Sequence, residues 1–281
     1  MQTKLELCKN ILTKLENVLM CPICGAEVIA KGQSLICKNN HTFDLSKKGV
    51  VVLQKQTKLY SSTIYSKELF ESRRRVILSG LYGEVYKQIA EILSIQNKPF
   101  IALDLGSGEG THLHKIKSLC PNLDKAVAVD ISKPAIDMAS DYLVDCIVPI
   151  VADVLNLPFL DNSIDVMLDF LSPLFVKESL RVLNDSGILI KVIPNSCYLK
   201  EIREIISKDS SDNSNEVIQN IKSKANVEKI IPIKYTKEVP EEIRVDLFKM
   251  TPLTSKIVVD NDLISKLTHI TIDLLILIIK K

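Results

Sequence analysis

The sequence predicts an α/β protein, a mostly parallel sheet preceded by a small cysteine-rich block at the N-terminus. Two observations carry this. From Phe100 onward, near-continuous Val/Ile/Leu runs alternate with helical patterns, as in a parallel sheet covered on both faces. Before it, residues 20–55 are dense in Cys, Gly and Lys and hold only short β-prone pieces. The 281 residues allow one to two domains, and 46% hydrophobic with 25% charged residues is ordinary for a globular chain.

Taken in order, residues 1–19 place Leu5, Cys8, Leu12, Leu15 and Leu19 at helical spacing with Lys and Glu between them. An amphipathic helix is expected, lacking the unbroken apolar stretch of a signal peptide. Residues 20–55 form the cysteine-rich block, with β-prone pieces at Ser34–Cys37 and 49–53. Residues 56–98 form a linker, polar and then strongly helical, ending near Pro99. The remaining domain, 99–281, has apolar runs at Phe100–Leu105, 126–131, Ile147–Val151, Ile164–Phe170 and 187–193. Helical patterns at Thr111–Leu119, 133–142 and 177–183 lie between them. A Ser/Asp/Asn-rich stretch at 208–215 reads as an exposed loop within a helical insertion, and 268–279 as a closing strand. The most apolar run, 274–279, is far shorter than the ~18 residues of a membrane span. The chain is therefore expected to be cytoplasmic and not membrane-bound, with its seven cysteines kept as thiols or metal ligands.

Within the cysteine-rich block, Cys21-Pro-Ile-Cys24 is followed after twelve residues by Cys37-Lys-Asn-Asn-His41. A Cys-x2-Cys pair on a tight turn converges two thiolates on one ion, and a second hairpin supplies Cys37 and His41 for the remaining tetrahedral corners. Gly25 and Gly32 permit the turns. Four ligands leave no open position for water, so the expected zinc is structural. A fragment this short has little core, so metal should supply much of its folding energy. Cys8, Cys120, Cys146 and Cys197 show no comparable pattern and are expected to be packing residues.

The segment Ile101-Ala-Leu-Asp104-Leu-Gly106-Ser-Gly108-Glu-Gly110 runs an apolar strand into three alternate glycines and then a helix. The glycine spacing is not that of a dinucleotide pyrophosphate loop, and Asp104 would repel phosphate while suiting an ammonium group. Asp130 ends the next apolar run and can accept from a ribose diol; Asp153 follows a third run and can accept from an adenine amino group. Each aspartate alone reads equally well as a helix cap. Together with the glycines they point to S-adenosylmethionine.

Beyond its first twenty residues the chain resembles the RlmA family, bacterial methyltransferases acting on N1 of a guanine in 23S rRNA, macrolide-resistance members included. The matching stretches are Cys21 to Gly25, Cys37-x3-His41-x-Phe43-Asp44-x2-Lys47-x-Gly49, Ser72-Arg73-Arg74 leading to Gly80-x-Tyr82, and 104–110. They continue through Asp130-x-Ser132-Lys133-x-Ala135-Ile136, Leu157-Pro158-Phe159, Arg181-Val182-Leu183 and Met250-Thr251-Pro252. The zinc segment is specific to that family, whereas the glycine loop is shared by class I (Rossmann-like) methyltransferases. The resemblance implies zinc on Cys21, Cys24, Cys37 and His41, cofactor beside Gly108 and Glu109, and Tyr82 folded over it. It also implies a homodimer whose zinc blocks help line an RNA cleft. Residues 1–100 carry 15 Lys+Arg against 8 Asp+Glu, and the remainder 21 against 26. Lys31, Lys38, Lys47, Lys48, Arg73, Arg74 and Arg75 are thus candidates to meet phosphates. The chain departs from the family at Asp185-Ser186-Gly187, where relatives carry Gly-Gly, at Tyr198, where they carry a cofactor-contacting His, and at Asp169, where they carry Arg or Asn.

Methyl transfer from a sulfonium needs alignment more than covalent help. Guanine N1 must also lose a proton, so Asp169, ending the fourth strand beside Ser172-Pro173, is the candidate base or guanine-orienting group, with a structural cap as its equal alternative. Phe170 and Phe175 are candidates to stack on the base. Two rival functions stay open on the residues: a related methyltransferase acting on a small molecule or peptide, and a non-catalytic RNA-binding homologue.

Overall fold

The computed structural model describes residues 2–55, 65–206, 213–254, 257 and 259–281. Helix α1 (Lys4–Thr13) opens with a reciprocal cap, Thr3 accepting from the Glu6 amide while the Glu6 carboxylate accepts from the Thr3 amide at 2.8 Å. Its apolar stripe, Cys8, Ile11 and Leu12, is buried together with Leu15 and Leu19. Strands β1 (Val28–Lys31), β2 (Ser34–Cys37) and β3 (Thr42–Asp44) form a three-stranded antiparallel sheet. Strand β4 (Val51–Val52) then leaves this sheet for a larger one.

The rest of the chain runs α2 (Lys67–Leu78), α3 (Gly83–Leu93), β5 (Phe100–Leu105), α4 (Thr111–Leu119), β6 (Leu123–Asp130) and α5 (Lys133–Ala139). It continues with β7 (Ile147–Val151), β8 (Ile164–Phe170), α6 (Val176–Val182), β9 (Leu183–Pro194), α7 (Lys200–Ile205) and α8 (Ser214–Lys222). The last elements are β10 (Asn226–Glu238), α9 (Glu241–Lys249), α10 (Asn261–Lys266) and β11 (His269–Lys280). The eight strands lie in the order β10-β11-β9-β8-β5-β6-β7-β4. All pairs from β4 to β9 are parallel, and β11 closes the sheet antiparallel to both β9 and β10. Strand order reverses between β5 and β8, and ligands of open α/β sheets bind beyond the carboxyl ends at such a point.

Alternate residues of the central strands face two buried layers. Ala102, Ala128, Val166 and Ile190 pack under α3, α4 and α9. Leu103, Val127, Met167 and Leu189 pack with α1, with Val28 and Leu35 of the small sheet, and with α6 and α8. The cysteine-rich block therefore shares a core with the large sheet. Leu12, Leu15 and Leu19 are fully buried and stabilise by about 1.5–3 kcal/mol each. Backbone bonds reinforce this: Met20 N to Pro158 O and Leu160 N to Val18 O, both 2.9 Å. The expectation of little core in this block is thus corrected, since Val28, Leu35, Leu45 and Leu53 are buried in the shared core. Its last strand, read as part of that block, pairs Val51 with Ile150 and Val52 with Val151 in the main sheet.

The helix expected over 133–142 stops at Ala139, and Ser140–Asp145 tightens into a 3-10 turn. Strand β10 was not anticipated. The first part of the linker and most of the 208–215 loop lie outside the described residues. Cys8 and Cys120 are buried, as expected of packing residues, but Cys146 is exposed and Cys197 half-buried. Among the described residues no helix is long and apolar enough to cross a membrane.

Candidate functional site

The turn from β5 into α4 is built of backbone that only glycine adopts without strain. Gly106, Gly108 and Gly110 have φ of 64°, 56° and 78°. A Cβ on Gly106 would lie 2.7 Å from Cβ and Oγ of Ser172, so the turn after β8 presses directly against this loop. Asp130, at the end of β6, ties the loop down. Its Oδ2 accepts from Gly108 N at 2.9 Å and its Oδ1 from Ser132 N at 2.8 Å. Asp130 therefore both caps and borders the site, and each oxygen keeps a lone pair for a ligand hydroxyl.

Beyond these strand ends lies a cavity of about 860 Å³, within the range of small-molecule sites. Asp104, Gly106, Asp130, Asp153, Tyr82 and Tyr198 line it. Gly108, Glu109, Gly110 and Asp169 do not; Glu109 and Asp169 are 1% and 0% exposed. Asp153 accepts from Leu155 N at 2.9 Å, closing its own turn at the rim.

The electrostatics of this pocket favour a cation. Burial, and then the like charges of Asp169, Asp130 and Glu109, push the Asp104 carboxyl well above the usual carboxylate range. Burial also raises Glu109, Asp130 and Asp169, the last opposed by Lys191. Asp104 Oδ1 and both oxygens of Glu109 are buried with no hydrogen-bond partner in the protein. Unpaired buried carboxylate oxygens are costly, and an ammonium–sulfonium ligand beside Asp104 would satisfy Asp104 Oδ1, whereas Glu109 does not reach the cavity. The residues present fit S-adenosylmethionine, since Asp104, Asp130 and Asp153 bring three carboxyl groups to one cavity for a ligand that carries an ammonium, a ribose diol and an adenine amino group.

The aromatic wall contains a residue the sequence reading missed. Tyr82 and Tyr198 share a hydrogen bond, O to O 2.7 Å. His112 stacks on Phe170 at 3.9 Å between centroids, meets Tyr82 edge-on at 5.4 Å, and bonds through Nδ1 to Tyr86 Oη at 2.7 Å. Burial and the nearby Arg73 lower its pKa to about 3, so it lines the cavity as a neutral ring. The two histidines of Thr-His-Leu-His carry no motif that would have marked His112.

Arginines expected to meet phosphate are engaged within the chain. Arg73 donates to Met250 O at 3.1 Å and lies over the Phe70 ring. Arg74 pairs with Asp141 at 2.8 Å and covers Tyr142. Arg75 grips both oxygens of Asp246, each at 2.7 Å. Lys31, Lys38 and Lys47 are exposed, and Lys48 pairs with Asp137 at 3.1 Å.

In the small sheet, two knuckles bring Cys21, Cys24, Cys37 and His41 together, their donor atoms all within 4.8 Å of one another. In the first, Cys21 N donates to Ala26 O and Gly25 N to Cys21 O. In the second, Cys37 N donates to His41 O, with Asn40 at φ 63°. Separations of 3.5 Å for Cys21–His41, 3.7 Å for Cys24–Cys37 and 3.4 Å for Cys37–His41 match the edges of a tetrahedron with Zn–S near about 2.3 Å. A backbone hydrogen bond from Ala26 lowers the Cys24 thiol to about 6, whereas burial raises Cys21. The set fits a closed, structural zinc ion.

Comparison with known proteins follows the same division. Residues 19–58 match the family model described as "RlmA, N-terminal", and residues 103–190 that described as "Methyltransferase domain". A Bacillus subtilis (strain 168) protein described as a 23S rRNA (guanine-N(1)-)-methyltransferase, YxjB, is 36% identical over 253 residues, covering 84% of this chain and 86% of its own. A 23S rRNA (guanine(748)-N(1))-methyltransferase of Streptomyces fradiae is 29% identical over 189 residues, 66% of each. Among solved structures, that of MccD protein superposes with a TM-score of 0.49 at 15% identity, covering 70% of this chain and 97% of that one.

Proposed function

Because this chain belongs to the RlmA family of 23S rRNA (guanine-N1)-methyltransferases, we propose that it methylates N1 of a guanine in a 23S rRNA hairpin. The protein is an S-adenosylmethionine-dependent methyltransferase with a structural zinc. The observation that carries the reading is the buried, unpartnered Asp104 oxygen in a cavity walled by carboxylates, a site that suits a cationic donor. When bound there, the donor supplies an electrophilic methyl: an N1–C bond forms, the C–S bond breaks and the N1 proton is released.

The chain's own residues divide the remaining work. Asp104, Asp130 and Asp153 hold and orient the donor, and Tyr82 with Tyr198 closes one wall against water. Asp169, the candidate base or guanine-orienting group, does not line the cavity, so it acts on the guanine through Lys191 and Ser172 and not by contact with N1. Its Oδ1 is shared between Lys191 Nζ at 2.7 Å and Ser172 Oγ at 2.8 Å, while its Oδ2 is buried without a partner. Phe175 at the cavity rim is a surface for base stacking. Exposed Lys31, Lys38 and Lys47 support a phosphate-facing zinc block. On this reading the enzyme works in the cytoplasm, where its substrate is, and as a homodimer with two such blocks.

The test is mass spectrometry of 23S rRNA from cells with and without the gene, joined to methylation of purified hairpin with labelled donor. Gene-dependent 1-methylguanine supports the reading; an unchanged rRNA and an unmodified hairpin refute it. Asp169→Asn should retain donor binding and lose most turnover, and full turnover would remove Asp169 from the chemistry.

A further inference from the structure

A second cavity, of about 420 Å³, adjoins the first, and the two share the turn 171–173 and Pro194 as a common wall. It lies at the carboxyl ends of β8 and β9, flanked by α7 and α8. Among the described residues its lining contains no Asp or Glu; it offers apolar walls from Leu171 and Val217, amides from Asn195 and Asn220, and the cations Lys191 and Arg203. Apolar faces with amide and cationic donors suit a heteroaromatic ring that carries a carbonyl oxygen. Its size admits one nucleotide.

Lys191 is the unusual member. It sits in β9 directly opposite Asp169 in β8 and is 3% exposed. Its ammonium donates to Asp169 Oδ1 and to Ser172 O. An ammonium has three hydrogens, so one is left for the cavity that Lys191 lines. Burying a lysine here is costly, and the same pairing across two strands would be met more cheaply by two apolar residues. Among the described residues, the titratable groups facing it are Asp169 on β8 and Arg203 on α7.

Resting on the guanine reading above, we propose that the second cavity is the acceptor-base subsite and that Lys191 donates its free N–H to guanine O6. A cation at O6 holds the electron density that gathers there as N1 loses its proton to water, and it selects guanine over adenine, whose amino group at that position donates.

The test is a cycle between one protein group and one substrate atom. Hairpins carrying guanine or 6-thioguanine at the target are methylated by the wild type and by Lys191→Met. Sulfur is a poor hydrogen-bond acceptor. The wild type should slow at least about tenfold on the thio substrate relative to the variant's own response, and Lys191→Met should be slower on guanine by about 10²–10³, the usual loss for one charge-stabilising donor. Equal O-to-S ratios in the two enzymes would overturn the assignment. Failure of the wild type to methylate any guanine would instead overturn the rRNA reading and this inference with it. Since Lys191→Met strands the Asp169 carboxylate, Lys191→Gln is run beside it, with melting and donor calorimetry as folding controls. If neither folds, a crystal structure of the wild type with hairpin and S-adenosylhomocysteine decides, by whether Nζ lies within hydrogen-bond reach of O6.

Discussion

A carboxylate such as Asp104, sealed in a core with one oxygen unpartnered, destabilises the protein that carries it until a cation arrives. Asp104→Asn should therefore weaken S-adenosylmethionine binding at least tenfold, about 1.4 kcal/mol, by calorimetry, without lowering the melting temperature of the ligand-free protein. The pH dependence follows in sign. Its folded-state value lies above the unfolded one, so its contribution to stability is present below the ordinary carboxylate range, about pH 4, and is lost as pH rises through the raised value. The ligand-free wild type should lose stability from about pH 4 toward neutrality, and Asp104→Asn should lose less; parallel curves for the two would contradict this. Gly106→Ala adds a Cβ 2.7 Å from Ser172 at positive φ, and should cost about 1–3 kcal/mol in denaturant melts while abolishing turnover. That Asp104, Asp130 and Asp153 stand at strand ends around one cavity was legible, because strand ends and glycines announce themselves in sequence. His112 and Lys191 were not, because each draws its meaning from a partner more than twenty residues away, Tyr86 and Asp169.

Among the elements, runs buried on both faces were read nearly to the residue: Phe100–Leu105, Ile147–Val151 and Ile164–Phe170 recur unchanged. Strand β10 escaped because it is an edge strand. Lys, Glu and Pro232 interrupt its apolar residues, and it is half-exposed along its length, features that protect sheet edges. Helix α9 reaches back to α2 through the two-toothed grip of Arg75 on Asp246. Arg75 is about half exposed, so Arg75→Ala should cost no more than about 1 kcal/mol; a larger loss in urea melts would show the pair bracing α2 against α9. The small sheet presents a different balance. Cys24→Ser should abolish stoichiometric zinc, read by a colorimetric chelator, yet leave a folded core, since α1 and Leu19 are held by packing.

For the whole molecule, the shared core joins the small sheet, α1 and the large sheet into one layer. Calorimetry of the zinc-loaded protein should show a single unfolding transition, and chelation should lower its midpoint without splitting it; two separated peaks would show independent units. Zinc geometry was plain from the spacing of four ligands, but its setting was not. Nothing in residues 20–55 declares that Val51 belongs beside Ile150.

That pairing bears on how the chain is born. Translation delivers the N-terminus first, and the edge that receives β4 lies about 100 residues downstream. Until Val151 clears the exit tunnel, β4 has no partner strand, and zinc on Cys21, Cys24, Cys37 and His41 would hold the two knuckles together meanwhile. Zinc starvation should then deplete newly made enzyme faster than enzyme already assembled, read as pulse-labelled against pre-labelled protein; equal losses would count against it.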